Sequence, residues 1–480
     1  MSLTHKSLSA VFWSGVDVFM RQGLQFFVSI LLARLLSPED FGVIAMLYVF
    51  IGLASLFIDC GFSSALVQRQ DITLTDESTV FFFNLGMGAL MALALCAAAP
   101  WIATFFELPI LLNLTYVMAL NLFISAFGSI HNTLLTKALD FKTIMKVGMG
   151  ATSCSGLMAV LMAWWGFGVW SLAWQTLLSS LVTVALLWWW HPWRPRWEFS
   201  LFSLSRLFRF GSFLMLSSLL DVLYTRLYAV LIGKFFSARE LGFYTRADTT
   251  QHLPTNVLKN VLNRVAFPVF SMAAADKAKL VRGLRKVLMA MMLINIPAML
   301  GMMVLAEPLV LTLFGSKWLP SVPFLQVLCL AGALWPLHLV NLNVLKAQGR
   351  SDLFFRIEVI KKVVGVLLIL LASLHSVMAV AWSQVITGIF AFFINAHYSG
   401  VLLGYGPWSQ LRELTPFGLV GMTMVAMIWI IRQQLHWQPA VELLVLSGLG
   451  AAIYFFICRL LRLAAFDELV AMLMQLKVRR

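Results

Sequence analysis

The chain has 480 residues, of which 61% are hydrophobic and only 12% are charged, and its mean hydropathy is +0.88. Soluble domains are about half apolar and a quarter charged, so this composition excludes an ordinary water-soluble enzyme. The net charge of +14 is strongly basic, but the basic residues alternate with long apolar runs and do not form one face. That alternation argues against a nucleic-acid partner and indicates an integral membrane protein.

Fourteen apolar runs follow one another along the chain, and about 20 such residues cross a bilayer as a helix. The runs do not alternate apolar and polar residues, so the predicted fold class is an all-α polytopic membrane protein and not a β-barrel. The first run, from about residue 8 to 35, is too long and interrupted for a cleavable signal and is predicted to be a retained helix. The spans are predicted to centre near residues 22, 54, 92, 124, 155, 179, 219, 257, 295, 332, 367, 388, 422 and 449.

Lysine and arginine concentrate in every second connection between the runs. The connections before odd-numbered spans are rich in both residues. Those before even-numbered spans hold only Arg34, Lys234, Arg239, Lys317 and Arg432. Because basic loops stay on the cytoplasmic side, both termini are predicted to be cytoplasmic.

The first half of the chain is repeated in the second. "LLSPEDFG" from Leu35 is answered by "FFSARELG" from Phe235, and "LSAVFWSG" from Leu8 by "LSRLFRFG" from Leu204. The offsets of all matched segments lie between 196 and 209 residues. In "LLSPEDFG", Ser37 is predicted to cap a helix, with Pro38 first in the helix and an acidic residue three after the cap. Six spans followed by six related spans in the same order predict parallel repeats.

The repeat predicts the division of the chain. A six-helix lobe at residues 1–190 and a second at 205–402 are joined by a cytoplasmic linker at 191–204. Two additional helices at 411–462 and a cytoplasmic tail at 463–480 follow. Duplicated bundles of this kind place their substrate path between the repeats.

Several ionisable residues lie inside predicted spans, where a charge costs at least about 2.5–3.5 kcal/mol and normally faces a wet cavity or a partner. Those predicted to line a cationic, substrate-binding cavity are Arg21, Arg226, Arg246, Lys259 and Arg264. The eighth span adds a polar stripe at helical spacing, formed by Asp248, His252, Asn256 and Asn263 around Lys259, with a kink expected at Pro254. The candidates for binding a coupling proton or sodium ion are Asp17, Asp59 and Asp221. The alternative is that these charges only neutralise one another, as Asp17 and Arg21 could on one helix face.

Motifs of catalysis and of cofactor or metal binding are missing from the sequence. It contains no phosphate-binding loop, no H-E-x-x-H and no G-x-S-x-G, and its five cysteines lie in apolar runs as predicted packing residues. We therefore expect neither an enzyme nor a cofactor. The acidic stretch "RQDITLTDEST", residues 69–79, is the best site for surface chemistry and is predicted to be a solvated loop.

Four segments resemble the polysaccharide-transporter branch of the multidrug/oligosaccharidyl-lipid/polysaccharide exporter superfamily, which includes Wzx-type flippases and colanic-acid exporters. They are "LLARLLSPEDFGVIAM" from Leu31, "GFSSALVQRQD" from Gly61, "TKALDFK" from Thr136 and "NRVAFPVFS" from Asn263. The resemblance implies a bacterial inner-membrane protein of two six-helix lobes plus two helices. It would flip undecaprenyl-pyrophosphate-linked oligosaccharide by alternating access and work beside a polysaccharide polymerase and chain-length machinery. Cationic family cavities match Arg21, Arg226, Lys259 and Arg264 by residue type.

Two other functions stay open at this stage. A cation-coupled small-molecule or drug antiporter of the same superfamily would need a smaller and more acidic cavity. A membrane glycosyltransferase or polymerase would need a large catalytic loop, and no connection here exceeds about 20 residues.

Overall fold

The computed structural model describes residues 20–69, 71–273, 276–434, 437–463 and 466–467, and within these it is helical without a strand. Eleven of its helices are long and apolar enough to cross a membrane. The all-α polytopic fold predicted from the sequence is confirmed. The helices are α1 (residues 20–35), α2 (Pro38–Asp59), α3 (Phe62–Gln68), α4 (Leu74–Phe106), α5 (Ile110–Lys137), α6 (Phe141–Trp164), α7 (Trp170–Trp190), α8 (Leu201–Phe235), α9 (Ala238–Ala273), α10 (Lys277–Val304), α11 (Ala306–Leu313), α12 (Val322–Ala347) after a 3₁₀ turn (Ser316–Ser321), α13 (Ser351–Ser373), α14 (Val377–Leu403), α15 (Pro407–Gln434) and α16 (Pro439–Leu460).

The repeated turn motif starts a helix in both of its copies. The Ser37 backbone N–H donates to Asp40 Oδ2 at 2.8 Å, and the Asp40 N–H donates to Ser37 Oγ at 3.2 Å. This is the predicted capping box, with Pro38 in the first turn of α2. At the start of α9 the Glu240 N–H donates to Ser237 Oγ at 3.1 Å. The predicted helix starts are therefore confirmed at both positions.

The chain forms two compact units, Met1–Gly242 and Phe243–Arg480. In the first unit α5 packs on α4 and α7, and α7 packs on α6. In the second unit α12 packs on α10 and α14, and α14 packs on α13. The same order of packing thus recurs at corresponding positions of the repeat. Helix α8, which the sequence assigns to the second lobe, packs on α2, α3 and α4 within the first unit.

Helix α15 is joined to α12 and α10 of the second unit by polar contacts. The side-chain amides of Asn341 on α12 and Gln410 on α15 exchange two hydrogen bonds of 2.9 Å, and both residues are fully buried. Nearby, the Tyr405 hydroxyl donates to Glu413 Oε2 at 2.7 Å, and Arg285 of α10 donates to the same oxygen at 2.7 Å. Burial and the contact with Glu413 raise the pKa of Tyr405, which keeps the hydroxyl protonated as the donor. Arg432 of α15 donates in turn to Glu442 of α16 at 2.6 Å, so the final helix pair is joined to the unit.

We expect Gln410→Leu to lower the free energy of unfolding in detergent by about 2 kcal/mol, because Asn341 would stay buried with its amide partly unsatisfied. Replacing Asn341 as well with Leu removes the unsatisfied group, so the double variant should recover part of the loss. Thermal unfolding of the parent, the two single variants and the double variant gives the coupling energy. Strictly additive losses would show that the amide pair does not join the two helices.

Candidate functional site

In the first compact unit, the candidate residues of α8 lie on its exposed surface. Asp221 and Arg226 are both exposed, and between them the Thr225 hydroxyl donates to the Asp221 carbonyl at 2.8 Å. Arg226 forms no ion pair with any acidic side chain in the described ranges of the chain. An exposed arginine within a helix that is long and apolar enough to cross a membrane is costly to place against hydrocarbon. This face of α8 therefore needs water or an anionic group beside it.

Arg21 is exposed on α1, and its side chain reaches α6 at a glycine. A Cβ atom added to Gly148 would lie 2.9 Å from Arg21 Cδ, so the glycine leaves the space that the arginine stem occupies. Asp17 lies outside the described residues, so the pairing of Asp17 with Arg21 stays an open alternative. The side chains of Asn263 and Arg264 are likewise outside the description, although both positions belong to α9.

Asp59 has a structural contact in this fold. It ends α2, and its Oδ1 accepts hydrogen bonds from the Ser63 backbone N–H, at 3.2 Å, and from the Ser63 hydroxyl. The carboxylate thereby caps the start of α3, where acceptors for the first N–H groups are needed. A role of Asp59 in ion coupling stays a prediction, and the cap accounts for an acidic residue at this position without it.

In the second unit, the polar stripe of α9 is exposed along the helix. His252, Asn256 and Lys259 are exposed, and Asp248 is partly exposed with its Oδ1 3.5 Å from His252 Nε2. Gln251 and Thr255, which flank the stripe on one side, are buried. The helix continues through Pro254 to Ala273. The predicted spacing thus places the imidazole of His252, the amide of Asn256 and the ammonium group of Lys259 on one continuous surface.

Arg246 does not lie on the exposed polar stripe of α9. It is buried on α9, and its guanidinium carbon is 4.9 Å from the ring centroid of Phe314 and 5.0 Å from that of Trp318. Such cation–π contacts stabilise a desolvated arginine. The structure therefore does not bring Arg246 onto the exposed polar stripe that carries Lys259, and its contacts are those of a packing residue.

An apolar cavity of about 390 Å³ opens in the second unit between α10, α11, α15 and α16. Its lining includes Ile294, Pro297, Met424, Leu446 and Phe455. Almost all of the lining surface is carbon, so the cavity suits a hydrocarbon chain and not a sugar or a phosphate.

Two polar clusters were missed from the sequence. In the first half of α13, Lys361 and Glu358 form an ion pair whose side chains are 13% and 23% exposed. The spacing of three residues could have shown that they share a helix face.

The second cluster lies in the first unit, where the start of α4 contacts the linker. The acidic stretch 69–79, which includes this helix start, is predicted from the sequence to be a solvated loop. Asp76 is in fact 2% exposed and the prediction for this stretch is wrong.

Each residue from Thr75 to Thr79 contacts the linker or α8, and we call this set of contacts the clasp. The Trp193 indole donates to Glu77 Oε2 at 2.6 Å, and Arg206 Nη2 lies 2.9 Å from Asp76 Oδ2. The other bonds are Thr75 Oγ1 to Glu198 at 2.6 Å, Arg196 N to Ser78 Oγ at 3.0 Å and Ser200 N to Thr79 Oγ1 at 3.1 Å. Burial, together with the neighbouring Arg194 guanidinium, holds the pKa of His191 in the same linker below its ordinary value.

No group of three or more His, Cys, Asp and Glu side chains that could hold a metal ion occurs among the described residues.

A family model described as "Polysaccharide biosynthesis protein" matches residues 31–323, which is more than half of the chain. The chain belongs to this polysaccharide biosynthesis protein family. The family predicted from the repeated turn and its companion segments is thereby confirmed.

Relatives of known name agree with this membership. The chain is 30% identical to the succinoglycan biosynthesis transport protein ExoT of Rhizobium meliloti over 72% of its length and 69% of the relative's. It is 29% identical to the lipopolysaccharide biosynthesis protein WzxC of Escherichia coli, covering 75% of this chain and 74% of that one. With the teichuronic acid biosynthesis protein TuaB of Bacillus subtilis it shares 27% identity over 82% of both chains.

Solved structures show the fold. The lipid II flippase MurJ, in an inward closed conformation, superposes with a TM-score of 0.77 at 14% identity, covering 95% of this chain and 99% of MurJ. An inward-facing multidrug resistance MATE transporter of the MOP superfamily superposes with a TM-score of 0.64 at 16% identity, covering 82% and 98%. The polytopic transporter fold expected from the sequence is therefore confirmed.

Proposed function

We propose that this protein is a flippase that moves undecaprenyl-pyrophosphate-linked oligosaccharide repeat units across the bacterial inner membrane by alternating access. The observation that carries the proposal is the exposed polar surface on two helices, with Arg226 on α8 and the stripe from Asp248 through Lys259 on α9. Membrane helices expose such groups to a hydrated path and not to lipid. Membership in the polysaccharide biosynthesis protein family supports the choice of substrate class, as do one relative named for lipopolysaccharide biosynthesis and one named for succinoglycan biosynthesis transport.

The chemistry of this substrate matches both the exposed polar surface and the apolar cavity. A pyrophosphate that leaves the aqueous headgroup region loses hydration, and guanidinium and ammonium groups offset that loss through charge-assisted hydrogen bonds. The polyprenyl chain can remain in an apolar environment throughout, and the cavity of about 390 Å³ between α10, α15 and α16 would shelter a part of it. Sugar hydroxyls would use amides and imidazoles such as Asn256 and His252.

We further propose that both termini face the cytoplasm, that Asp17, Asp59 or Asp221 couples transport to a proton or sodium ion, and that a polysaccharide polymerase takes over the flipped unit. Collapsing the ion gradients in vesicles tests the coupling. Unchanged flux would exclude it.

Reconstitution in vesicles tests the proposed function. Lipid-linked oligosaccharides extracted from bacterial membranes are incorporated with the purified protein, and the glycan reached from outside is oxidised by periodate, which does not cross the bilayer. We expect the oxidised fraction to rise from about half, the outer-leaflet share, towards completion within minutes. Protein-free vesicles give the baseline, and an oxidised fraction that stays there would contradict the proposal.

The likeness in fold to MATE transporters makes a drug antiporter the second candidate. The same vesicles, loaded with ethidium and given a proton gradient, distinguish the two functions. Dye efflux without any change in glycan oxidation would favour the antiporter.

A further inference from the structure

The linker between α7 and α8, residues 191–200, begins where a candidate membrane span ends. Helix α7 has 21 residues, which at about 1.5 Å per residue matches the roughly 30 Å thickness of the hydrocarbon core. It ends in three tryptophans, the side chains that concentrate at membrane–water interfaces, and Trp189 among them is exposed. Because α7 is only as long as the hydrocarbon core is thick, the linker follows it in the headgroup layer.

The clasp holds one side of the linker against the start of α4. The Arg196 backbone N–H donates to Ser78 Oγ at 3.0 Å, and the Glu198 carboxylate accepts from the Thr75 hydroxyl at 2.6 Å. Glu198 is the only acidic residue of the linker, and this bond turns its charge towards α4. The other side of the linker is therefore left without an acidic side chain of its own.

Large apolar side chains occupy that other side. Trp197 is 94% exposed, and Phe199, Leu201 and Phe202 are exposed as well. The Trp197 ring lies next to that of Phe82 of α4, with centroids 5.3 Å apart, yet almost its whole surface remains open. Since the clasp fixes the backbone, these side chains cannot turn inward. A contiguous exposed apolar surface of this kind is typical of contact with a membrane or with another protein.

Two arginines of the linker favour a membrane over a protein. The exposed Arg194 donates to three backbone carbonyl groups at 2.6 and 2.7 Å, which fixes its guanidinium beside the linker. The Arg196 side chain is exposed and has no hydrogen bond or ion pair with any residue that the structure describes. Aromatic rings beside cations are complementary to a bilayer surface, where the rings enter the headgroup layer and the cations meet anionic headgroups.

We propose that the linker is a membrane-binding surface, in which Trp197, Phe199 and Phe202 insert among lipid headgroups and Arg196 binds the phosphate of an anionic phospholipid. The clasp and the lipid hold the linker from opposite sides, so that the segment joining the two repeats stays at the start of α4. The ligand is a lipid of the surrounding bilayer and not the transported molecule. This inference is therefore independent of the proposed flipping of glycans.

The reactivity of a cysteine at position 197 tests the insertion. Trp197→Cys is placed in lipid nanodiscs, which leave both membrane faces open to solution, and is treated with a water-soluble maleimide. Peptide-resolved mass spectrometry separates this position from the five native cysteines, and each rate is divided by that of the same peptide in denaturant. The matched control is Asp71→Cys in the connection before α4, where the native side chain is 67% exposed.

Although Trp197 is the more exposed of the two in the protein alone, we expect position 197 to react about tenfold more slowly than position 71, because lipid excludes the reagent. Equal rates at the two positions would show that this side of the linker lies in water and would overturn the proposal.

The composition of the lipid tests the contact of Arg196 with phosphate. Replacing about a third of phosphatidylcholine by phosphatidylglycerol should slow labelling at position 197 by about a further fivefold, as expected for one arginine at an anionic surface. Adding Arg196→Gln should abolish this dependence on anionic lipid. Lys277→Gln, which removes an exposed cation at the start of α10, should leave the dependence unchanged. Labelling that is equally slow in both lipids would overturn the role of Arg196.

Discussion

Arg226→Gln and Lys259→Gln are each expected to reduce glycan flipping by about tenfold or more at unchanged protein levels. A charge-assisted hydrogen bond to phosphate contributes roughly 1.5–3 kcal/mol, and glutamine removes the charge while leaving a shorter polar side chain. Both residues are exposed, Arg226 on the candidate membrane span α8 and Lys259 on α9, and Arg226 has no ion-pair partner among the described residues. Loss of either cation should therefore weaken substrate binding without disturbing the fold. Arg264→Gln, on the same helix as Lys259, should behave alike.

Controls on the same helices or beside them separate this effect from a general loss of positive charge. Arg209 is exposed near the start of α8 and Lys277 at the start of α10. Arg209→Gln and Lys277→Gln should leave flipping within about twofold of the parent, as expected of solvated charges. Arg226→Lys should retain part of the activity. If Arg226→Gln, Lys259→Gln and Arg264→Gln all match these controls in the periodate assay, the proposed cationic path is wrong.

Arg246→Gln should differ from all of these variants. Its guanidinium is packed over Phe314 and Trp318, so its removal should lower the amount of folded protein instead of the flux per molecule. The position could have been predicted from the sequence by closer attention to helical geometry. Arg246 precedes His252 by six residues, which places the two side chains about 120° apart around a helix of 3.6 residues per turn. It therefore lies outside the stripe.

The fold was predictable because its determinants are local. Lengths of apolar sequence define the membrane helices, and short side chains such as Ser37 with Asp40 define where helices begin. The same reasoning applied to Thr73 and Asp76, which have identical spacing, would have started α4 where the structure starts it. The acidic residues of the stretch 69–79 instead favour a solvated loop when only their charge is considered.

The contacts that could not be predicted join residues far apart in the sequence. Trp193 meets Glu77 across 116 residues, and Arg206 meets Asp76 across 130. Nothing in the local sequence of the linker indicates an anchor, since its basic and aromatic residues are equally suited to a membrane surface. Similarly, the sequence repeat predicts that Gly42 and Gly242 are equivalent, but only the three-dimensional structure shows that each lies against the helix start of the other repeat.

The second large predicted effect is a loss of stability when the clasp is broken at Asp76. Asp76→Ala is expected to lower the free energy of unfolding in detergent by about 3 kcal/mol, because one carboxylate serves two interactions there. Its Oδ2 accepts from the Thr73 backbone N–H at 2.9 Å, completing the cap of α4, and it pairs with Arg206 of α8 at 2.9 Å. The side chain is 3% exposed and that of Arg206 is 27% exposed, so solvent compensates little for the lost bond. Thermal unfolding of the purified protein measures the change.

Asp71→Ala is the matched control, since Asp71 pairs with the same arginine at 3.3 Å but is 67% exposed. Its loss should cost less than about 0.5 kcal/mol. Equal effects of the two substitutions would mean that Arg206 is held by charge alone and that the cap and burial of Asp76 are unimportant. A large difference would show that the linker end of α8 is fixed to α4.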